Sequence, residues 1–245
     1  MLILCFIYGL CIGSFLNVCI YRIPANISLI SPPSCCGSCG HRLSYIDMVP
    51  VVNYVVQKGR CRYCDSEYSI QYPIIELLNG LLYVLIVLKY GLTFYSAILC
   101  LFSSSLLVAT AVDLKHMIIP DSTVLVAFFL GLLLLIYDNS SLKDKLIGFV
   151  IAFGLFFLIA LTTKSMGGGD VKLMGAIGLL FGTRGAIFVS LFSFIIGALV
   201  VSLLLCFKIK GRKDKISFGV FIALASLTYI FFGSEIIDSY LNVFL

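Results

Sequence analysis

The sequence predicts an all-α polytopic membrane protein, with about eight transmembrane helices and a four-cysteine loop domain after the first. Three observations predict it. The 245 residues are 61% hydrophobic and 12% charged, with a mean hydropathy of +1.12, whereas soluble domains carry roughly 25% charged residues. The apolar residues gather into runs near the ~20 residues that a helix needs to span a bilayer. The polar residues gather into short connections and one long interval, residues 22–73, which holds two Cys-x-x-Cys pairs.

Taken in order, the apolar segments fall at 1–21, 74–88, 94–112, 121–137, 145–163, 171–183, 185–207 and 216–232. Backbone groups inside a bilayer must satisfy one another, so each segment is read as a helix. The first has no Lys or Arg ahead of it, unlike the charged start of a cleavable signal peptide, and reads as a retained span. The sixth is short and Gly-rich, which predicts a helix that is tilted, broken or partly buried among the others. The chain divides into 1–73, the first helix with its loop, and 74–245, the remaining bundle.

Charge orients this drawing. With the N-terminus outside, one face receives Arg22, Arg42, Lys58, Arg60, Arg62, Lys115, Lys164, Lys172, Lys208, Lys210, Arg212, Lys213 and Lys215, thirteen of the 17 basic residues. The other receives Lys89, Lys143, Lys145 and Arg184. The positive-inside rule makes the first face cytoplasmic. Orientation accounts for the net charge of +5, and no nucleic-acid motif accompanies it.

Two acids stand out in this apolar chain. Asp113 ends the third segment, and Asp170 opens the sixth after Gly167, Gly168 and Gly169. Acids within membrane segments are costly and mark function by default. Two spans and an outside turn separate them, so both return to the cytoplasmic face. Adjacent carboxylates share a proton. One then serves as base toward a water while the other polarises a carbonyl, which is aspartyl proteolysis. Helix capping is the competing reading for Asp170. It explains Asp113 poorly, because an acid at a helix C-terminus opposes the dipole. Asp121, after Ile119-Pro120, fits a helix start. Lys115 and Lys172 lie two residues beyond an acid and face away from it in a helix. The glycines leave a backbone with which an extended substrate can pair, and Glu76, a further acid near a membrane edge, is read with them as a substrate-binding residue.

Cys36-Gly-Ser-Cys39 and Cys61-Arg-Tyr-Cys64 carry the spacing of a tetrahedral zinc site with four cysteine ligands. Four thiolates leave no open position, so the metal is structural. Free or redox-active pairs are the alternative. Cys35 is adjacent and competes as a ligand. Cys5, Cys11, Cys19, Cys100 and Cys206 lie in apolar segments as fillers. Asn17 reads as a helix-packing amide, and His41 and His116 as surface residues.

These motifs resemble the bacterial type IV prepilin leader peptidases, membrane aspartic proteases of the GxGD type. The resemblance covers nearly the whole chain. It runs through GSFLNVCIYRIP at 13–24, Asp47 and Pro50, GRCRYC at 59–64, YPIIELLNG at 72–80, DLKHMIIPD at 113–121 and GGGDVKLMGAIG at 167–178. It implies that Asp113 and Asp170 are catalytic. It also implies substrates, prepilins and pseudopilins, whose basic leader is removed at the cytoplasmic face of a bacterial inner membrane. In many members the new N-terminus is then methylated from S-adenosylmethionine, a step associated with the N-terminal region. One departure is visible: in Phe218-Gly219-Val220-Phe221, Val220 stands where Pro is common, far from the acids in sequence. Two other classes remain open at this stage. One is a transporter moving protons or cations through the same aspartates, and the other is a zinc-bearing assembly scaffold.

Overall fold

The computed structural model describes residues 1–137, 142–163, 166–209, 211 and 216–244. Lys164, Lys210, Arg212, Lys213 and Lys215, used above to orient the chain, lie outside the described residues. The helices are α1 (Leu2–Arg22), α2 (Val52–Val56), α3 (Gln71–Tyr90), α4 (Phe94–His116), α5 (Asp121–Tyr137), α6 (Leu142–Thr163), α7 (Gly168–Cys206) and α8 (Gly219–Phe244), with a 3-10 turn at Ile46–Met48. Among the described residues there is no strand, only two isolated bridges.

Among the described residues six helices are long and apolar enough to cross a membrane, and α5 is a shorter apolar helix. The 39-residue α7 is broken at Gly182, whose φ of 69° and ψ of −167° leave the helical region. That break separates the sixth and seventh apolar segments of the sequence, so each segment has its helical counterpart. A side chain at Gly182 would meet the Asp144 carboxylate. Asp144 also ties down the turn: its Oδ1 accepts from the Thr183 N–H at 3.3 Å, and its carbonyl accepts from the Thr183 hydroxyl at 3.0 Å.

The chain forms two compact units, Met1–Val108 and Ala109–Leu245, whose boundary falls within α4. In the first unit α1 packs on α3 through small residues, the membrane substitute for hydrophobic association. A Cβ at Gly9 would lie 2.7 Å from the Gly80 Cα, and one at Gly13 2.7 Å from the Glu76 Cα. Amides bind the same seam. Asn79 Nδ2 donates to the Gly9 carbonyl at 2.8 Å, and Asn17 Nδ2 to the Tyr72 carbonyl at 3.0 Å. Asn17 is therefore the packing amide its sequence context predicts. In the second unit α7 packs against α5, α6 and α8, and the backbones of α6 and α7 touch at Gly148 and Gly178.

Candidate functional sites in each unit

The second unit builds its site around the two acids. Asp113 lies one turn before the end of α4 and is 4% exposed; Asp170 lies in the first turn of α7 and is 9% exposed. The Asp113 charge acts on Asp170 electrostatically. Side-chain packing joins their surroundings. A Cβ at Gly169 would come within 2.9 Å of the Ile119 Cβ, and one at Gly219 within 2.7 Å of Asp113 Oδ2 and 3.0 Å of the Ile119 Cδ1. Ile119 thus touches both the glycine preceding Asp170 and the glycine facing Asp113.

Each carboxylate sits at the N-terminus of a helix, where unpaired amides and the dipole favour negative charge. Asp113 Oδ2 accepts from the Gly219 N–H at the start of α8, at 2.9 Å, and the Ser217 hydroxyl also hydrogen-bonds this carboxyl. Asp170 is not the helix cap. The cap is Gly167, with no side-chain hydrogen bond of its own. Asp170 reaches back to the Gly167 amide as the third residue of a capping box does. Capping leaves its second oxygen idle: Oδ1 is buried and makes no hydrogen bond. A buried acceptor with no partner is costly, so this atom is free for a water or a substrate.

The three glycines differ. Gly169 faces Ile119, and Gly167 faces the carboxylate of Asp170, whose Oδ2 would be 3.1 Å from an added Cβ. Gly168 has open space beside it. Lys172 turns away from the acids and pairs instead with Asp121 at 2.7 Å. That pair is exposed and worth at most about 1 kcal/mol. Ser217 and Gly219 are site residues that sequence reasoning missed. The segment carrying Val220 is remote from the acids along the chain yet adjacent in space, because α8 begins at the Asp113 carboxylate.

The first unit holds the cysteine site. The sulfurs of Cys36, Cys39, Cys61 and Cys64 lie within 4.8 Å of one another, and those of Cys36 and Cys64 are 3.8 Å apart. Four sulfurs about 2.3 Å from a tetrahedral zinc stand about 3.8 Å apart, so the cluster fits that ion. Cys35 is not among the four. The two halves repeat one design. In each, the first cysteine's carbonyl accepts from the amide just past the second, Gly40 at 2.9 Å and Asp65 at 2.9 Å. Both of these residues take positive φ. Backbone amides of Cys39 and then Ser38 pull the Cys36 thiol down to about 6, toward the thiolate that metals bind. His41 stays at the surface but its ring packs at a tilt of 32° on Tyr63, with centroids 3.6 Å apart, joining the two halves.

Beside the cysteines, Asp47 is buried and fully engaged. It accepts from the Ser44 hydroxyl and amide at 2.7 and 3.1 Å and from Gln57 at 3.3 Å, and pairs with Arg62 at 3.4 Å. The Ser44 hydroxyl above all, with Arg62 assisting, holds its carboxyl below the usual range. Glu76 belongs to this unit. Its Oε2 accepts from the Val51 N–H at 2.8 Å. Val51 has φ of 60°, a strained value for a β-branched residue.

Comparison with known proteins gives these sites a family. Residues 7–90 match the Bacterial Peptidase A24 N-terminal domain, and residues 100–202 match the Type IV leader peptidase family. The chain is similar to the prepilin leader peptidase/N-methyltransferase of Bacillus subtilis strain 168, at 31% identity over 99% of both chains. It is also similar to the protein of that name from Aeromonas hydrophila, at 30% identity over 99% of this chain and 94% of the relative. The Xanthomonas campestris pv. campestris protein is 29% identical over 96% of this chain and 92% of its own. No solved structure matches at a significant level.

Proposed function

This chain belongs to the prepilin leader peptidase/N-methyltransferase family, and on that premise we propose that it removes the basic leader of type IV prepilins and pseudopilins and methylates the new N-terminus. Asp113 and Asp170 are the catalytic pair of the peptidase step. The observation that carries this reading is the burial of both carboxylates in one cluster with Asp170 Oδ1 unpartnered. One carboxyl takes the proton of the attacking water while the other donates to the scissile carbonyl. The Gly219 amide and the Ser217 hydroxyl fix the Asp113 oxygens, so the geometry is set before the substrate arrives.

We place the chain in the bacterial inner membrane with its N-terminus outside and the acids at the cytoplasmic face. A substrate with a basic leader before an apolar helix keeps that leader inside, which presents the scissile bond at the depth of the acids. The bond must lie in an extended segment, and the open space beside Gly168 leaves room for such a segment to approach the backbone. Zinc, held by Cys36, Cys39, Cys61 and Cys64, folds the loop without taking part in the chemistry. The methyl group comes from S-adenosylmethionine, whose sulfonium supplies an electrophilic carbon to the new amine.

Single Asp113→Asn and Asp170→Asn variants test the peptidase reading. Each should abolish cleavage of a prepilin by the purified protein while membrane insertion and metal content persist. Cleavage that survives either change would overturn it. An unmodified protein that cleaves prepilin removes the transporter reading.

A further inference from the structure

We propose that Glu76, in the cavity of the N-terminal unit, is the residue that receives the positive charge of the methyl donor. This rests on the methyltransferase reading above. The cavity has a volume of about 830 Å³, and its walls include Ser14, Asn17, Tyr54, Tyr68, Tyr72 and Glu76. Pockets for small ligands run from about 300 to 1,000 Å³, so a nucleoside-sized molecule fits.

The wall chemistry asks for a cation. Glu76 is 6% exposed, and its carboxylate is held by the Val51 amide and the Ser14 hydroxyl, neither of which carries charge. A buried carboxylate is stable when a positive charge sits beside it. The two arginines of the cavity are occupied elsewhere. Arg22 donates to the carbonyls of Ser28 and Pro32 at 2.8 and 2.7 Å, and Arg62 pairs with Asp47. Two further polar atoms wait for a partner: Asn17 Oδ1 and the Tyr68 hydroxyl are buried without a hydrogen bond. Asn17 is 3% exposed and cannot turn this oxygen to solvent, because its amide nitrogen is bound to Tyr72.

The aromatic wall fits the same ligand. Tyr68 stands edge-to-face with Tyr54 and Tyr72, at centroid separations of 5.2 and 6.1 Å. Ring faces attract organic cations that have shed water. A divalent metal is a poor match, since Glu76 is the one acid of the wall without a cationic partner. A sulfonium nucleoside combines the required charge, apolar surface and size. The amino terminus of the cleaved substrate is the competing cation.

Equilibrium binding to the full chain in detergent separates these possibilities. The probes are S-adenosylmethionine, S-adenosylhomocysteine, which lacks the positive charge, and a peptide with the mature pilin N-terminus. The unmodified protein should bind S-adenosylmethionine more tightly than S-adenosylhomocysteine. Glu76→Gln should weaken the cationic ligand about tenfold or more and erase that preference. Tyr68→Phe, which preserves the ring packing, should weaken it a few-fold. Bound zinc reports that both variants keep their fold. A photoreactive donor analogue should label peptides from residues 14–76. If the unmodified chain binds the donor but Glu76→Gln keeps both affinities, or if the label falls within residues 109–245, the assignment of the site fails while the methyltransferase reading stands. If only the peptide loses affinity, the cavity belongs to the amine. If the unmodified chain binds no donor at all, the underlying reading fails too.

Discussion

Gly219 offers the sharpest test of how the acids are positioned. Its amide donates to Asp113 Oδ2 at 2.9 Å, and a methyl group placed on it would lie 2.7 Å from that oxygen. Ordinary contact begins near 3.4 Å, so Gly219→Ala forces the carboxylate back by about 0.7 Å. The Ile119 Cδ1, 3.0 Å from the same methyl, can rotate away at small cost. The carboxylate cannot retreat without stretching its hydrogen bond past useful length. A hydrogen bond to a charged group is worth about 1.5–3 kcal/mol, and each 1.36 kcal/mol is about tenfold in rate. We therefore expect kcat/KM for prepilin cleavage to fall about ten- to a hundredfold, with normal expression and insertion. Gly154→Ala is the control, since an added Cβ there meets nothing within 4 Å. The assay is the rate of leader release from a purified prepilin in detergent, followed by mass spectrometry. Wild-type rates in Gly219→Ala would show that the start of α8 does not position Asp113, and the reasoning about this amide would be wrong.

Other consequences follow from the same geometry. Purified protein should carry about one zinc per chain, lost in Cys36→Ser or Cys61→Ser and retained in Cys35→Ser; metal analysis reads this directly. Gly182→Ala should destabilise the protein by about 2 kcal/mol or more, since it combines a positive φ with a collision at Asp144; thermal unfolding in detergent measures the loss. Asp47→Asn should loosen the cysteine loop, seen as faster amide exchange around residues 44–62. The Asp47 carboxyl is held below its usual range, so its contribution is present at neutral pH and disappears only as pH falls through that lowered value. The difference between Asp47→Asn and the unmodified protein should therefore shrink in strong acid and be full at pH 7.

The order of apolar segments was legible because each must be long enough and oily enough to be a helix wherever it ends up packed. The clustering of the four cysteines was legible for a related reason: a Cys-x-x-Cys turn is local, and two such turns bring four sulfurs to the spacing a tetrahedral metal needs. Composition also singled out Asp113 and Asp170, since a carboxyl in an apolar run carries an energetic cost wherever the run goes. The partners of these residues were not legible. Gly219 serves Asp113 from 106 residues away, through a backbone amide that no residue type announces. Gly9 and Gly13 were not singled out from the sequence, and the surface they meet, the backbone of Gly80 and Glu76, depends on how α1 meets α3. Glu76 gives the clearest division. Its acidity in an apolar stretch flagged it from the sequence. Only the folded chain placed it among tyrosines in a cavity of the N-terminal unit, because burial and the absence of a countercharge are properties of the surroundings that packing creates.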